Sequence, residues 1–507
     1  MNARLCHGEG NGSSRSDRPR DPVEAARAGN PYPCTDLGNA ERFAACHGDS
    51  VKFDAANRCW RVWDGRRWAA DSSLRVFKLA AQTARNIMQE AASASAPATK
   101  DSHDIRKSLA DWAIKSESRD RLAAMIEVAK SQDGIAMDAS SFDADIMLFN
   151  CLNGTIDLKT GILRPHKKSD LLTKLSKVEY RKGATCTRWE RFLIDATGND
   201  VDVIRFLQMV AGYTLTGSTI EEKLFLLCGP EASGKTTFLE ALRTILGDYG
   251  ATIDPAMLTK ASHRRQSGAA SPDVARLPGV RLAAGSELEN GKELKECLAK
   301  SLTGGETITA RQLYAGYFDF LPQFKIILAL NHCPRCNADD GAIWRRMVRI
   351  GFDKTVPVDR RDKTLKPYLR DPRGGAPAVL AWAVEGCLIW QSEGLVIPNA
   401  VQQSTDNYRN ESDPIHSFFE DRLSFNPMGW MPWVEIWMAY QEYAESQGVP
   451  ERYRVSTVRI IEQLKSKGCE PSRKYAVRGW QGVEIRATMT PMTPMTPISK
   501  SIPTKQI

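Results

Sequence analysis

Leu224-Phe225-Leu226-Leu227-Cys228 runs without a polar residue into Gly229-Pro230-Glu231-Ala232-Ser233-Gly234-Lys235-Thr236, and Thr237-Phe238-Leu239-Glu240-Ala241-Leu242 follows. Five apolar residues in a row are what a strand buried on both faces of a parallel sheet requires. The next eight match GxxxxGK[ST], and the last six suit a helix. In that order, successive backbone N–H groups can wrap phosphate oxygens while the helix N-terminus adds its positive end. Gly229 through Thr237 are therefore the candidate nucleotide-binding residues, with Lys235 on the β/γ-phosphates and the Thr236 hydroxyl on Mg²⁺. A chance glycine turn would match the bare pattern in roughly one chain in fifty of this length. The apolar strand before it and the helix after it remove most such cases. The stretch predicts an α/β fold of the P-loop type with a parallel sheet, using ATP and Mg²⁺. Kinases, GTPases and motors share such a loop, so the residues downstream must choose among them.

Val280-Arg281-Leu282-Ala283-Ala284 reads as a second buried strand and ends at Gly285-Ser286-Glu287-Leu288-Glu289. A carboxylate at the C-terminal end of a core strand is placed to polarise water or to hold Mg²⁺. Glu287 is the first candidate and Glu289 stands behind it; the plain alternative is a solvated loop carboxylate. A third strand, Phe324 to Leu330, ends at Asn331. That amide can sense a γ-phosphate or orient water, or simply make a turn. Between these strands, Lys300 to Arg311 and then Tyr314 to Phe320, across Ala315-Gly316, read as an inserted hairpin. Lys300, Arg311 and Tyr314 are its candidate nucleic-acid contacts, against the competing reading of a purely structural hairpin. Trp344-Arg345-Arg346 offers an arginine able to reach a neighbouring subunit's phosphate, or else a basic surface pair.

The remainder of the 507 residues is long enough for two to four folded units. A hydrophobic content of 42% against 26% charged residues fits a soluble protein with real cores. No stretch offers the roughly 18 uninterrupted apolar residues of a membrane span, and the polar N-terminus lacks a secretory signal. A net charge of +8 permits a polyanionic partner without demanding one. Twelve scattered cysteines point to reduced thiols in a cytoplasm. The one close pair, Cys333 and Cys336 beside His332, lacks a second pair at zinc spacing. Asp143, Asp145 and His166 are the residues a two-metal nucleotidyl transfer would use, but the pattern is common and reads more simply as a capped turn. We divide the chain into a disordered leader (1–30), an N-terminal accessory region with a Trp60/Trp63/Trp68 hairpin and helices (31–199), the nucleotide-binding domain (200–356), a helical lid or linker (357–412), a folded C-terminal unit (413–487) and a disordered Met-Thr-Pro tail (488–507).

Taken in order, the phosphate loop, Ser286-Glu287-Leu288-Glu289, the Lys300-Ser301-Leu302-Thr303-Gly304-Gly305 block, Asn331-His332-Cys333-Pro334 and Trp344-Arg345-Arg346 resemble the superfamily 3 helicases. The likeness is closer to the helicase portion of phage and plasmid primase-helicases, which are related to poxvirus-type enzymes. Thr35 to Ala40, Trp63-Asp64-Gly65, Asn153 to Leu158 and Gly212 to Gly217 are similar to segments ahead of that family's motor. The resemblance extends over about Thr35 to Arg486. It implies an AAA+-like core, a hexameric ring with ATP at subunit interfaces, DNA in the pore, and a separate primase as a possible partner. It also implies that Glu287 is the catalytic carboxylate, Asn331 the sensor, and Arg346 the trans finger ahead of Arg345. Lys300, Arg311 and Tyr314 would lie in the channel-hairpin block, and the C-terminal unit would be a DNA-binding winged helix. The implied function is an ATP-dependent, ring-forming DNA helicase in replication of a phage, plasmid or integrated element. Its alternatives are a primase-helicase and a non-unwinding origin-binding scaffold. Two departures stand out. Ser233, Glu231 and Pro230 replace the family's Asn and more glycine-rich loop, and Glu231 brings negative charge near phosphates. Only a short region, without a recognisable primase domain, precedes the motor.

Overall fold

The computed structural model describes residues 21–29, 31–94, 104–260, 272–311, 316–338, 340–357, 361–449, 451 and 454–486. The chain divides into two compact units, Met1–Pro334 with Arg345–Gln402, and Arg335–Trp344 with Gln403–Ile507.

The first unit begins with α1 (Pro22–Arg27), whose Asp21 carboxylate accepts the Val23 N–H and which buries Ala25 and Ala26. This corrects the expectation of a disordered leader through residue 30. Six residues show no readable period, and a helix so short is held by packing rather than propensity; residues 1–20 lie outside the described residues, as does the Met-Thr-Pro tail. There follow α2 (Asp36–His47), β1 (Val51–Asp54), β2 (Cys59–Trp63), β3 (Trp68–Ala70), α3 (Arg75–Ser93), α4 (Ile105–Ser116), α5 (Arg119–Ala129) and β4 (Ala136–Met137). The strands form a sheet in the order β3-β2-β1-β4. The tryptophan hairpin is there, with Trp63 opposite Trp68, and Trp68 is buried with its indole N–H on the Lys168 carbonyl. Arg42 and Glu90 form a fully buried ion pair at 2.9 Å, and Arg42 also donates to the Pro33 and Tyr32 carbonyls. Removing one partner of such a pair costs about 3–5 kcal/mol, because the other charge is stranded.

Next comes an antiparallel meander, β5 (Leu148–Cys151), β6 (Gly154–Asp157) and β7 (Ile162–Arg164), broken where Asn153-Gly154 and Thr160-Gly161 fall. Asp143 accepts from both the backbone N–H and the hydroxyl of Thr173, and Asp145 caps the Met147 N–H. The Asp-x-Asp pattern is thus engaged in turns.

Then come α6 (Thr187–Thr197), α7 (Val201–Leu215), β8 (Leu224–Cys228), α8 (Lys235–Leu246), β9 (Gly250–Thr252), α9 (Pro272–Ala275), β10 (Leu282–Ser286), α10 (Glu296–Thr303), the β11–β12 hairpin (Ile308–Arg311, Tyr317–Phe320) and β13 (Lys325–Leu330). After α11 (Gly341–Trp344), which belongs to the second unit, β14 (Met347–Gly351) completes a five-stranded sheet in the order β14-β8-β13-β10-β9. Every pairing in it is parallel. All residues of β8 and β13 are buried, which is why β8, and β13 after Lys325, read as apolar runs. Parallel strands place all their C-terminal ends, and so the loops after β8, β10 and β13, on one edge.

Two buried cations anchor the opposite edge. Arg281 donates to the carbonyls of Leu215 and Leu148, and Lys325 to those of Thr216 and Ser218. Carbonyls at a helix C-terminus lack helical partners, and these cations satisfy two of them at the end of α7, those of Leu215 and Thr216. Behind the sheet, α12 (Leu365–Arg370) precedes α13 (Ala376–Glu393), which crosses α7 at backbone contact. A Cβ on Gly212 would lie 2.0 Å from the Cys387 nitrogen, and one on Gly386 1.9 Å from the Gln208 carbonyl oxygen. Only glycine admits that approach.

The chain enters the second unit within α14 (Asn399–Ser412). Its order is α15 (Pro414–Arg422), β15 (Leu423–Ser424), β16 (Trp430–Pro432), α16 (Trp433–Ser446), α17 (Thr457–Ser466), β17 (Glu470–Lys474), β18 (Val477–Gln481) and β19 (Glu484–Ile485). An antiparallel sheet β16-β18-β17 covers a core that includes Phe418, Tyr440, Ile460, Leu464 and Trp480. The excursion 335–344 joins this unit: Cys336 Sγ lies 3.1 Å from the Tyr408 hydroxyl, and Trp344 meets the Tyr408 ring edge-on. Among the described residues, no helix is long and apolar enough to cross a membrane.

Candidate nucleotide-binding cleft

The loop between β8 and α8 is shaped by two glycines in close contact with their surroundings. A Cβ on Gly229 would lie 2.1 Å from the Phe352 carbonyl oxygen, and one on Gly234 (φ +97°) 2.8 Å from the Phe192 ring. Ala232 also takes a left-handed backbone, φ 58°. Lys235 opens α8 and is almost wholly buried. Its ammonium donates to the Gly229 and Pro230 carbonyls, each at 2.6 Å, and to Ser233 Oγ at 3.2 Å. Burial pushes the Lys235 pKa down, and the charges of Glu231 and Asp353 pull it back up. Every hydrogen-bond acceptor that holds this cation is neutral. Ser233, where the resembling loops carry Asn, is buried and itself donates to the Pro230 carbonyl at 2.8 Å.

Above the loop lies a cleft of about 780 Å³, lined by Glu231 through Thr237, Glu287 and Asn331. Residues from three strand ends, up to a hundred positions apart, are thereby brought together. Glu287 is one residue beyond β10 and has φ 66°. A left-handed backbone at a non-glycine residue stores about 1–3 kcal/mol of strain, and such residues cluster at functional sites. The Glu287 N–H donates to the Ala329 carbonyl, so the turn is pinned to β13 while the side chain stays exposed. Glu289, the second acidic candidate, lies outside the lining and pairs with Lys292 at 2.8 Å.

Beneath the cleft, Cys228 and Cys333 are bonded, their Cα atoms 6.7 Å apart. This corrects the expectation of thiols throughout: residues 105 apart in sequence meet because β8 and β13 are sheet neighbours. It also divides the Cys333/Cys336 pair between two different contacts. Among the described residues no cluster of His, Cys, Asp and Glu is arranged to hold a metal.

The other candidates are elsewhere. Arg346 is mostly buried, pairs with Glu222 at 2.9 Å, and sits at the N-terminal ends of β8 and β14, the sheet edge opposite the cleft. Arg345 beside it is exposed. Lys300 lies on α10. In the hairpin, Ile308, Ala310, Phe318 and Phe320 share one face, and Thr309, Arg311, Tyr317 and Asp319 the other, more exposed one. The Arg311 guanidinium lies 5.3 Å from the Tyr317 ring centre. Tyr314 lies outside the described residues. Tyr317, 64% exposed, is the aromatic the sequence reading passed over; strand alternation across from Arg311 was the signal for it.

Also unforeseen were the cleft's side walls. Arg188, Arg191, Phe192 and Asp195 come from α6, and Arg361, Asp362, Lys363, Leu365 and Lys366 from the segment at α12. Arg188 bridges the two walls, pairing with Asp362 and lying 4.5 Å from the Tyr368 ring centre.

Residues 40–198 match a family model described as D5 N terminal like. The chain is 29% identical over 322 residues to "Putative helicase L207/L206" of Acanthamoeba polyphaga mimivirus, covering 58% of this chain and 33% of that protein. The likewise-named 022R of Frog virus 3 (isolate Goorha) is 26% identical over 307 residues, covering 56% of this chain and 30% of that protein. The chain thus spans about a third of the length of the curated relatives it matches. Among solved structures, the A form apo structure of the NrS-1 C-terminal region aligns with a TM-score of 0.46 and 11% identity, over 85% of this chain and 95% of that one. That likeness is too distant for the fold to be argued from it. The chain thus carries a segment like the D5 N-terminal family ahead of the parallel sheet, and over more than half its length it is similar to viral proteins named as helicases.

Proposed function

We propose that this chain hydrolyses ATP and uses the energy to unwind DNA as a ring of identical copies, most simply six, in replication of a phage, plasmid or integrated element. The observation that carries the reading is the cleft itself. A buried ammonium, Lys235, is held only by neutral acceptors at the start of a helix, and Glu287 and Asn331 line the same space. That donor set fits a polyphosphate: an unneutralised cation, a helix N-terminus and a loop whose glycines keep side chains off the ligand.

In this reading Gly229 to Thr237 hold the triphosphate, with Lys235 exchanging loop carbonyls for phosphate oxygens. Glu287 polarises the attacking water and Asn331 orients it. Thr236 and Glu287 are the residues that would hold Mg²⁺, which when bound supplies charge neutralisation on the phosphates. Glu231 is exposed at the mouth and opposes the anion, so affinity for nucleotide should be modest. An arginine of a neighbouring copy, Arg346 or the freer Arg345, completes the site. The exposed Arg311–Tyr317 face supports the β11–β12 hairpin as a DNA contact, with Lys300 and Tyr314 as further members of that block. The order α15, β16, α16, α17 and a terminal hairpin supports reading the second unit as a winged helix.

Strand displacement on a forked DNA with ATP and Mg²⁺ tests this, comparing wild type with Lys235→Ala. Unwinding by wild type and none by the variant is the expected result. ATP hydrolysis without any unwinding would remove the autonomous helicase and leave a nucleotide-driven scaffold.

A further inference from the structure

The β17–β18 hairpin ends in a feature that neither its own fold nor the cleft uses. Lys474 faces Val477, so the turn is the dipeptide Tyr475-Ala476, and both residues are left-handed, with φ 51° and 68°. Two-residue turns of that kind are ordinarily built from Asn, Asp and Gly, which enter the left-handed region with least strain. Here a tyrosine occupies the place instead, and its side chain is 100% exposed. A folded unit gains nothing from a large ring held wholly in water on a strained turn.

The charges beside it point the same way. Arg473 stands directly opposite Arg478, so two exposed guanidinium groups share one face of the hairpin. Like charges in that position repel. The hairpin's one acid, Glu470, is at its far end opposite Gln481. No ion pair to either arginine is present among the described residues. Lys474 adds a third cation, 5.5 Å from the Trp430 ring centre, and that ring is fixed by its N–H on Ser472 Oγ at 2.8 Å. Self-repelling cations around an exposed aromatic ring are resolved by a ligand that is a polyanion and offers flat faces.

We propose that this tip is a binding site for single-stranded nucleic acid, in which Tyr475 stacks on an unpaired base and Arg473 and Arg478 contact the flanking phosphates. Unpaired strand is the ligand class because a duplex hides its base faces inside its own stack. The site rests on nucleic acid being the chain's partner, but it is independent of the cleft and needs no nucleotide.

Fluorescence anisotropy of the full chain with labelled oligothymidylate and with a duplex of equal length, without ATP, tests it. Tyr475→Ala should weaken single-strand binding about ten-fold and leave duplex binding unchanged, and Tyr475→Phe should bind as wild type. Arg473→Ser with Arg478→Ser should reduce the slope of log affinity against log salt by about 1.4 for the single strand. Wild-type single-strand affinity in Tyr475→Ala would overturn the stacking contact while leaving the motor reading intact. Displacement by polyglutamate as effective as by oligothymidylate would also overturn it, in favour of an acidic protein surface. A wild-type chain that binds no nucleic acid at any salt concentration would remove this site and the DNA partner together. Unchanged thermal melts of the variants exclude misfolding, since the Tyr475 ring lies wholly in solvent.

Discussion

Glu287 and Glu289 are two residues apart, yet the structure gives them different surroundings. Glu287 is aimed into the cleft from a left-handed turn tied to β13, whereas Glu289 is occupied by Lys292 outside it. If Glu287 is the base, Glu287→Gln keeps shape and hydrogen bonding but cannot take a proton. ATP hydrolysis should then fall by at least about a hundred-fold while binding of a fluorescent ATP analogue is retained. Glu289→Gln should hydrolyse at the wild-type rate. A reversal of the two rates would transfer the role to Glu289.

At the level of elements, helix α3 shows how one carboxylate fixes a junction. The Asp71 carboxylate accepts the backbone N–H groups of Ser73, Arg75 and Val76, while Leu74 takes a left-handed backbone at the helix start. Burial alone would raise the Asp71 pKa, but these hydrogen bonds outweigh it and hold the carboxyl below its ordinary 3.8. A carboxyl depressed on folding contributes stability above that ordinary value and loses it as pH falls through the folded one. Asp71→Ala should therefore cost about 1 kcal/mol at neutral pH, read as a lower denaturant midpoint. The difference from wild type should vanish once the pH is well below 3.8. A difference that persists there would mean the effect is steric.

For the whole molecule, the parallel sheet puts the cleft at one edge and Arg345 and Arg346 at the other. A site that needs both must draw them from two copies, as a closed ring with head-to-tail interfaces allows. Lys235→Ala chains should be inactive in ATP hydrolysis, and so should chains carrying Arg346→Ala or Arg345→Ala, whichever of the two arginines reaches the neighbouring site. Mixing the two kinds should restore part of the activity, because some interfaces then pair an intact cleft with an intact arginine. No recovery with either arginine variant would count against sites shared between copies. The comparison also chooses between them: Arg346 must leave Glu222 to act, and Arg345 is already exposed.

Local pattern alone was enough for some of this molecule. The apolar runs at 224–228 and 326–330, the glycine-lysine loop between β8 and α8, Glu287 and Asn331 at strand ends, and the Trp63/Trp68 hairpin were all legible, because strand burial and turn chemistry act over a few neighbouring residues. Other features were not. Helix α1 is too short to show a period, and the excursion 335–344 joins a unit whose remainder starts about sixty residues later. The walls of the cleft from α6 and α12, the Arg42–Glu90 pair and the Cys228–Cys333 bond join residues from 48 to 174 positions apart. Contacts at such separations leave no periodic trace. They exist because stacking strands and crossing helices decide which surfaces meet, and the tertiary structure alone makes that decision.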